Sequence, residues 1–124
     1  MKNIVIIFAL LFYPAVALSE PVIKFEKEKH DFGKVTETEY LDYTFEFTNA
    51  GTEDLYITSL IPSWGGCVAE MAGPSHLKPG EKGRIIASMH IAVGWKGPVS
   101  KRVKVLSNDP KSPAVLLIMH ANIQ

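Results

Sequence analysis

The chain has one cysteine, Cys67, among its 124 residues. A single thiol excludes an intramolecular disulfide, so the fold cannot depend on cross-links. The chain also lacks an excess of either charge, because 13 Lys and Arg balance 13 Asp and Glu. This balance provides no electrostatic footprint for nucleic acid. No segment shows helical periodicity over the length of a helix, and no uninterrupted apolar run reaches the roughly 20 residues of a membrane-spanning helix.

Residues 1–19 have the layout of a secretory signal peptide. A charged residue precedes an apolar run over residues 4–12, and small residues follow it. We expect cleavage before Glu20 and export of residues 20–124 to the periplasm or the extracellular space. No cysteine lies close behind the apolar run, where it could accept a lipid, so we expect no membrane insertion after cleavage.

The rest of the chain alternates between apolar and polar residues with the period of β-strands. In residues 40–49, YLDYTFEFTN, every second side chain is apolar, which predicts a strand with one buried face. Residues 84–93, RIIASMHIAV, repeat the pattern and place Val93 on the buried side. Further strand-like runs cover residues 55–61, 99–107 and 113–123. About seven short strands with turn signals between them predict an all-β, Ig-like antiparallel β-sandwich over residues 20–124.

Three turn sequences separate the strands. Gly51, which follows residues 40–49 closely, is expected to supply a positive φ for a tight connection. Pro79-Gly80 fits the two central positions of a type II turn. Residues 108–110, Asn-Asp-Pro, predict a bend made by side-chain hydrogen bonds of the Asx type. Turn chemistry accounts for all of these residues, so we assign them no catalytic role.

Four motifs occur in a characteristic order. They are HDFGKV at 30–35, FEFTNAG at 45–51, LKPGEKG at 77–83 and SNDP at 107–110. Together they resemble a bacterial family of secreted Ig-like domains of unknown function, related to the Hydin-like (ASH) and major-sperm-protein sandwiches. The resemblance spans roughly residues 25–123 and implies a sandwich fold, but no activity, because one fold hosts many functions. Many members resemble S-C-G-C at residues 64–67, so Cys67 matches only the second cysteine of that pair.

Cys67 leaves three hypotheses open. It is a buried thiol that acts as a small apolar side chain, the bridge of a disulfide-linked dimer, or a metal ligand. Cys67, Met71 and His76 lie in one connection of the chain, and thiolate, thioether and imidazole groups suit copper. This set gives an alternative function, a periplasmic protein that handles metal or thiols.

Met-His occurs twice, as Met89-His90 and Met119-His120. Neighbouring residues on a strand point to opposite faces, so we expect the methionines in the core and the histidines at the surface. In an Ig-like sandwich these two strands belong to different sheets. The two histidines should therefore face solvent on opposite sides of the molecule.

The sequence lacks the known catalytic signatures. It contains no G-x-S-x-G, no H-E-x-x-H, no phosphate-binding glycine loop and no dinucleotide fingerprint. The histidine nearest to Cys67 in sequence is His76, and the spacing does not show that the two converge. We expect no enzymatic activity and no cofactor.

A binding surface is the function that the sequence favours. In an Ig-like strand order, the connections that carry Trp64 and Trp95 leave their strands at the same end of the sandwich. Tryptophan buries a large apolar area and is enriched in interface hot spots. Trp64, Trp95 and Lys96 are expected to bind another protein or a cell-envelope component, unless each tryptophan folds back over the core. Strand addition at an exposed sheet edge is a second route of binding that is open to any such sandwich. The main hypothesis is an exported, non-catalytic binding module.

Overall fold

A computed structural model describes residues 19–36 and 40–124 of the chain. These residues form nine β-strands and no helix. The strands are β1 (Ile23–Phe25), β2 (Lys29–Val35), β3 (Tyr40–Asn49), β4 (Leu55–Pro62), β5 (Cys67–Met71), β6 (His76–Leu77), β7 (Lys82–His90), β8 (Gly97–Ser107) and β9 (Ala114–Ile123). No helix that could cross a membrane is present in the described part of the chain. The predicted signal peptide, apart from Ser19, lies outside it.

The strands form two sheets that pack face to face. The four-stranded sheet has the order β1-β3-β7-β5, and the five-stranded sheet has the order β2-β9-β8-β4-β6. Every pairing is antiparallel except that of β2 with β9, which run parallel at one edge. The predicted all-β sandwich is confirmed, with nine strands in the described residues and one parallel pair.

The core follows from the alternation of apolar residues on the strands. Phe45 and Phe47 of β3 are buried, and so is Ile85 of the neighbouring strand β7, which pairs with Phe45. Val93 does not continue this face and is 88% exposed, so its predicted burial is wrong. The reason is that β7 ends at His90 and the chain then turns toward β8.

A β-bulge changes the face of β4. The register with β8 shifts between Ile57 and Ser59, which inserts one extra residue into the strand. Leu60 therefore turns toward the core, while Ile61 is 46% exposed. Simple alternation from the start of β4 would have placed Ile61 inside.

Asn49 closes one end of the sandwich. Its side chain is buried, with 1% of the residue exposed. Its Oδ1 accepts hydrogen bonds from the backbone N–H groups of Val22 (3.3 Å) and Gly51 (3.0 Å). Its Nδ2 donates to the carbonyl oxygens of Glu53 (2.8 Å) and Leu77 (3.1 Å). One amide thus joins the start of the domain, the connection after β3 and strand β6.

Gly51 is required for a reason other than the predicted one. Its φ is outside the left-handed region, so the expectation of a positive φ is wrong. A Cβ atom at this position would lie 2.2 Å from the carbonyl oxygen of Glu20 and 2.6 Å from the nitrogen of Val22. Glycine is needed because the incoming chain passes too close for any side chain.

Two of the predicted turns are confirmed. Gly80 has a φ of 85°, as the second central position of a type II turn requires. Asp109 is 2% exposed, and its Oδ1 accepts hydrogen bonds from the N–H groups of Lys111 (2.9 Å) and Ser112 (3.2 Å). Its Oδ2 accepts the N–H of Ile23 (2.9 Å), which also fixes β1 to this turn.

We predict that Asn49→Ala lowers the free energy of unfolding by about 3 kcal/mol, because it leaves one buried and three part-buried backbone groups without this partner. Asn108→Ala is the matched control, since Asn108 also bonds an N–H, that of Tyr56, and a carbonyl, that of Asp54, but at the surface. In this control variant the free energy of unfolding should fall by less than about 1 kcal/mol. Urea denaturation measures both values, and equal losses would contradict the role given to Asn49.

Candidate functional site

Two connections meet at the end of the sandwich opposite Asn49. They are residues 63–66, between β4 and β5, and residues 91–96, between β7 and β8. The backbone N–H of His90 donates to the carbonyl of Gly66 (2.6 Å), which ties the first connection to the end of β7. The connection between β2 and β3 leaves from the same end, but residues 37–39 lie outside the described part.

Two glycines shape the connection that carries Trp64. Gly65 and Gly66 have φ values of 81° and 84°, in the left-handed region that favours glycine. A Cβ atom at Gly66 would lie 3.0 Å from the carbonyl oxygen of His90. Lys101 Nζ donates to the carbonyl of Trp64 (3.3 Å) and fixes the backbone of the loop. The backbone is held against the sandwich, while 96% of Trp64 is exposed to solvent.

Trp95 lines a groove beside this loop. The residue is 46% exposed, so about half of it is covered by the protein. The groove has a volume of about 150 Å³, and its walls are Gly65, His90, Ile91, Ala92, Trp95, Val99 and Lys101. The structure therefore places the two tryptophan-bearing connections on either side of one depression. Lys96 lies at the surface, where its Nζ donates to the carbonyl of Gln124 (2.9 Å).

Other exposed apolar residues lie at the same end. Tyr40, at the start of β3, is 61% exposed and stacks on the ring of His90 with centroids 4.9 Å apart. Val68 of β5 is 61% exposed, and Val93 is 88% exposed. The loop-end patch consists of these three residues and the two tryptophans: Tyr40, Trp64, Val68, Val93 and Trp95. Clusters of exposed large apolar side chains mark interaction sites.

Sequence reasoning found the tryptophans but missed the other members of the loop-end patch. Val68 was missed because β5 is short and was not recognised as a strand, so its face could not be assigned. Tyr40 is the one missed residue that the sequence could have indicated, because the alternation of its strand was correctly read and places Tyr40 on the outward face. Val93 was placed on the wrong face, as described above.

The thiol of Cys67 is buried next to β8. The residue is 8% exposed, and its Sγ lies 3.8 Å from the carbonyl oxygen of Arg102, to which it donates. Burial raises the pKa of the Cys67 thiol, although hydrogen bonding to Ser63 and the positive charge of Lys101 act in the opposite direction. The thiol is therefore largely protonated near neutral pH, which makes it a weak nucleophile and a weak metal ligand.

Cys67, Met71 and His76 are not brought together. Cys67 and Met71 lie four residues apart on β5, which separates them by roughly 13 Å along the strand. His76 belongs to β6 in the other sheet, where its Nε2 lies 2.7 Å from Asp54 Oδ2 and its ring stacks on Tyr56. Within the described ranges, no three His, Cys, Asp or Glu side chains are grouped so that they could hold a metal ion.

The two Met-His pairs are arranged as the alternation predicts. Met89 and Met119 are buried, with 0% and 1% exposure. His90 lies on β7 of the four-stranded sheet, and His120 lies on β9 of the five-stranded sheet, where its Nδ1 is 2.7 Å from Ser100 Oγ. The two histidines therefore belong to opposite faces of the sandwich and do not form one site.

We predict that iodoacetamide at pH 8 labels Cys67 of the folded protein about tenfold or more slowly than the denatured protein, because the thiol is buried and its pKa is raised. The labelling rate should increase as the pH is raised further and the thiolate forms. Intact mass after timed quenching measures the rate, with Cys67→Ser as the unlabelled control. Equally fast labelling of both states would show an accessible thiol.

Comparison with solved structures finds the same fold in proteins of low identity. A protein of unknown function from Porphyromonas gingivalis W83 aligns with a TM-score of 0.73 and 20% identity over 90% of this chain and 51% of that chain. The ASH/PapD-like domain 7 of human CEP192 aligns with a TM-score of 0.60 and 11% identity over 90% and 91%. The secreted serine protease VesC from Vibrio cholerae aligns with a TM-score of 0.63 and 17% identity over 82% and 23%. These likenesses show the fold alone, and the chain spans only about half of the first protein.

Sequence comparison with curated proteins finds none that matches this chain. A family profile, in contrast, matches residues 23–123. The match begins with the first residue of β1 and ends with the last residue of β9. The chain therefore belongs to the family described as protein of unknown function (DUF1573).

Proposed function

We propose that this domain is a non-catalytic interaction module of an exported protein, and that it binds a partner protein through the loop-end patch. The observation that carries the proposal is the exposure of the patch, whose five apolar residues are each 46% to 96% exposed at one end of the sandwich. Of these, Trp64 is the most exposed, at 96%. A membership in a family of unknown function is compatible with this role.

The exposure of Trp64 has an energetic implication. A tryptophan side chain offers roughly 200 Å² of surface, and burial contributes about 25 cal/mol per Å², so roughly 5 kcal/mol of apolar burial is not used by the fold. The left-handed glycines Gly65 and Gly66 hold the backbone in place instead. The fold is thus stabilised without the indole ring, which is left available to a partner.

The groove beside Trp95 supplies the second half of the interface. Its walls combine the apolar residues Ile91 and Val99 with the polar side chains of His90 and Lys101. Protein interfaces have an apolar centre and a polar rim, and their hot spots are enriched in tryptophan. Trp64 would insert into the partner, while an apolar side chain of the partner would fill the groove.

A catalytic role has less support. Cys67 is buried with a raised pKa, and the histidine nearest to it in sequence, His76, belongs to the other sheet and is no base for this thiol. Nucleophilic catalysis needs such a base within hydrogen-bonding distance. The likeness to the VesC protease extends over only 23% of that chain and concerns the fold.

Export is the part of the proposal that rests on residues 1–19 alone. We expect the protein recovered from the cell envelope or the medium to begin at Glu20, because the preceding residues have the order of a cleavable signal peptide. Intact mass spectrometry of the native protein measures the start. A chain that retains Met1 and stays in the cytoplasm would contradict export and leave the interaction surface unaffected.

We predict that the double variant Trp64→Ala, Trp95→Ala weakens partner binding by about 30-fold or more, as expected for the loss of one hot spot of about 2 kcal/mol. Its effect on the free energy of unfolding should not exceed about 2.5 kcal/mol and should come from the covered half of Trp95, because Trp64 is exposed. Chemical cross-linking of the exported protein in intact cells identifies the partner, and titration of the purified pair measures the affinity.

The matched control is Tyr56→Ala, which removes an aromatic side chain as exposed as Trp95, 46%, near the opposite end of β4. This variant should bind the partner like the wild type. Normal binding by a folded double tryptophan variant, or an equal loss in Tyr56→Ala, would contradict the assignment of the loop-end patch.

A further inference from the structure

Three of the four sheet edges are protected against pairing with another chain. Unpaired strand edges attract other strands, and proteins protect them by short strands, bulges and charges. At two of the edges, β1 has three residues and β6 has two. The third edge, β2, is interrupted by a register shift between Asp31 and Lys34, with Gly33 at a φ of 72°.

The fourth edge, β5, is longer than β1 and β6 and has no bulge, and Glu70 is its one charged residue. The strand pairs with β7 in one continuous register from Cys67 to Met71. Its sequence, CVAEM, contains no proline, no lysine and no bulge. Val68 is 61% exposed on the outer face. The strand is therefore a regular, five-residue edge with an apolar side chain at its surface.

The hydrogen bonds at the two ends of β5 show which backbone groups point outward. The N–H of His90 donates to the carbonyl of Gly66, and the N–H of Ala72 donates to the carbonyl of Arg84. Hydrogen-bonded positions alternate in an antiparallel pair, so residues 66, 68, 70 and 72 bond β7. The N–H and C=O groups of Cys67, Ala69 and Met71 point away from β7. No strand in the described part of the chain pairs with that side.

We propose that the free edge of β5 accepts an extended segment of a partner protein as an additional strand. The proposal rests on the proposed function, that this domain binds a protein, but it uses a backbone edge in place of the loop-end patch. Donors and acceptors repeated at strand spacing are matched by another extended polypeptide, as in other cases of strand addition. The ligand of this edge is therefore an extended polypeptide.

The side chains of β5 define the sequence pattern of that segment. Ala69 and Met71 are partly buried and packed against the core, so the segment needs apolar residues on the side that faces the sandwich. On the outer face, Val68 and Glu70 are exposed, which favours an apolar residue opposite Val68 and Lys or Arg opposite Glu70 on the added strand. The segment alternates between these two faces.

The occupant is a partner segment rather than a second copy of this chain. Pairing of two five-residue strands buries far less surface than the roughly 1,200 Å² of a stable interface between folded domains. A partner segment can also contact the loop-end patch, because β5 begins directly after the loop that carries Trp64. A strand added to β5 extends at that end toward the loop-end patch, to which Val68 also belongs.

The test uses Ala69→Pro, which removes an outward N–H without removing a bond to β7, a position where an edge strand tolerates proline. Ala69→Ser is the matched control, because serine keeps the N–H. Seven-residue peptides are selected from a random phage-displayed library on the wild-type domain, and the enriched peptides are synthesised with blocked ends. We expect them to carry alternating apolar residues and to bind Ala69→Ser like the wild type.

Binding to Ala69→Pro should be weaker by about tenfold or more, because one hydrogen bond is lost and the proline ring blocks the edge. Binding of these seven-residue peptides to the double tryptophan variant should stay within about threefold of the wild type, since they cover the five residues of β5 and, unlike a longer partner segment, extend only one residue beyond each end. Bound peptide should also slow the hydrogen exchange of the Ala69 and Met71 amides. The proposed function is tested by a different measurement, the loss of binding to the whole partner protein in the double tryptophan variant.

Peptide N-methylation provides a second readout if Ala69→Pro does not fold. Methylation should weaken binding at every second residue of the peptide and have little effect at the residues between them, because only alternate amides face β5. Equal binding to Ala69→Pro and the wild type, a selection that enriches no peptide, or a methylation profile without alternation would overturn the proposal. So would a dimer of the wild type that is lost in Ala69→Pro, since it would make a second copy the occupant.

Discussion

The rest of the structure depends on the buried amide of Asn49. Its four hydrogen bonds join a segment before β1, the connection after β3, and strand β6 in the opposite sheet. Asp109 completes the same end by accepting the N–H of Ile23. A buried polar group is costly without partners, so this arrangement is specific for one packing of the two sheets. The end near Asn49 is thereby closed by polar contacts made within the chain.

The opposite end is built differently, and this difference explains where the candidate surface lies. Its connections are held by backbone bonds such as that between His90 and Gly66, and by the left-handed conformation of glycines. Trp64 at this end is almost fully exposed, so its side chain adds little to the packing of the fold. One end of the sandwich therefore stabilises the domain, while the other end and the neighbouring edge of β5 are available to a partner.

The sequence predicted the parts of the fold that follow from local periodicity. The strand at residues 40–49 has the predicted bounds and the predicted buried face, since apolar and polar residues alternate without a break. Membership in an Ig-like family of unknown function is confirmed as well. Strand β5 was not predicted, because five residues with a cysteine, a glutamate and a methionine have no distinctive pattern. Export, which depends on residues outside the described part, stays a prediction.

The site was predictable only in part, because its members are assembled by tertiary structure. Both tryptophans were recognisable as loop residues, but the closeness of Tyr40 and Val68 depends on strand order. The separation of Cys67 from Met71 follows from their positions on one strand, which the missing assignment of β5 concealed. Gly51 shows a similar limit, since the approach of Glu20 to within 2.2 Å of its missing Cβ is a contact between distant residues.

The parallel pairing of β2 with β9 has a consequence for the order of assembly. Residues 29–35 find their sheet partner only in residues 118–123, near the opposite end of the described chain. Contacts between such distant segments slow folding, because a long loop must close before they form. The five-stranded sheet cannot gain its β2 edge until the last strand has been made. During synthesis from the N-terminus, this topology delays closure of the sandwich until nearly the whole domain has been made.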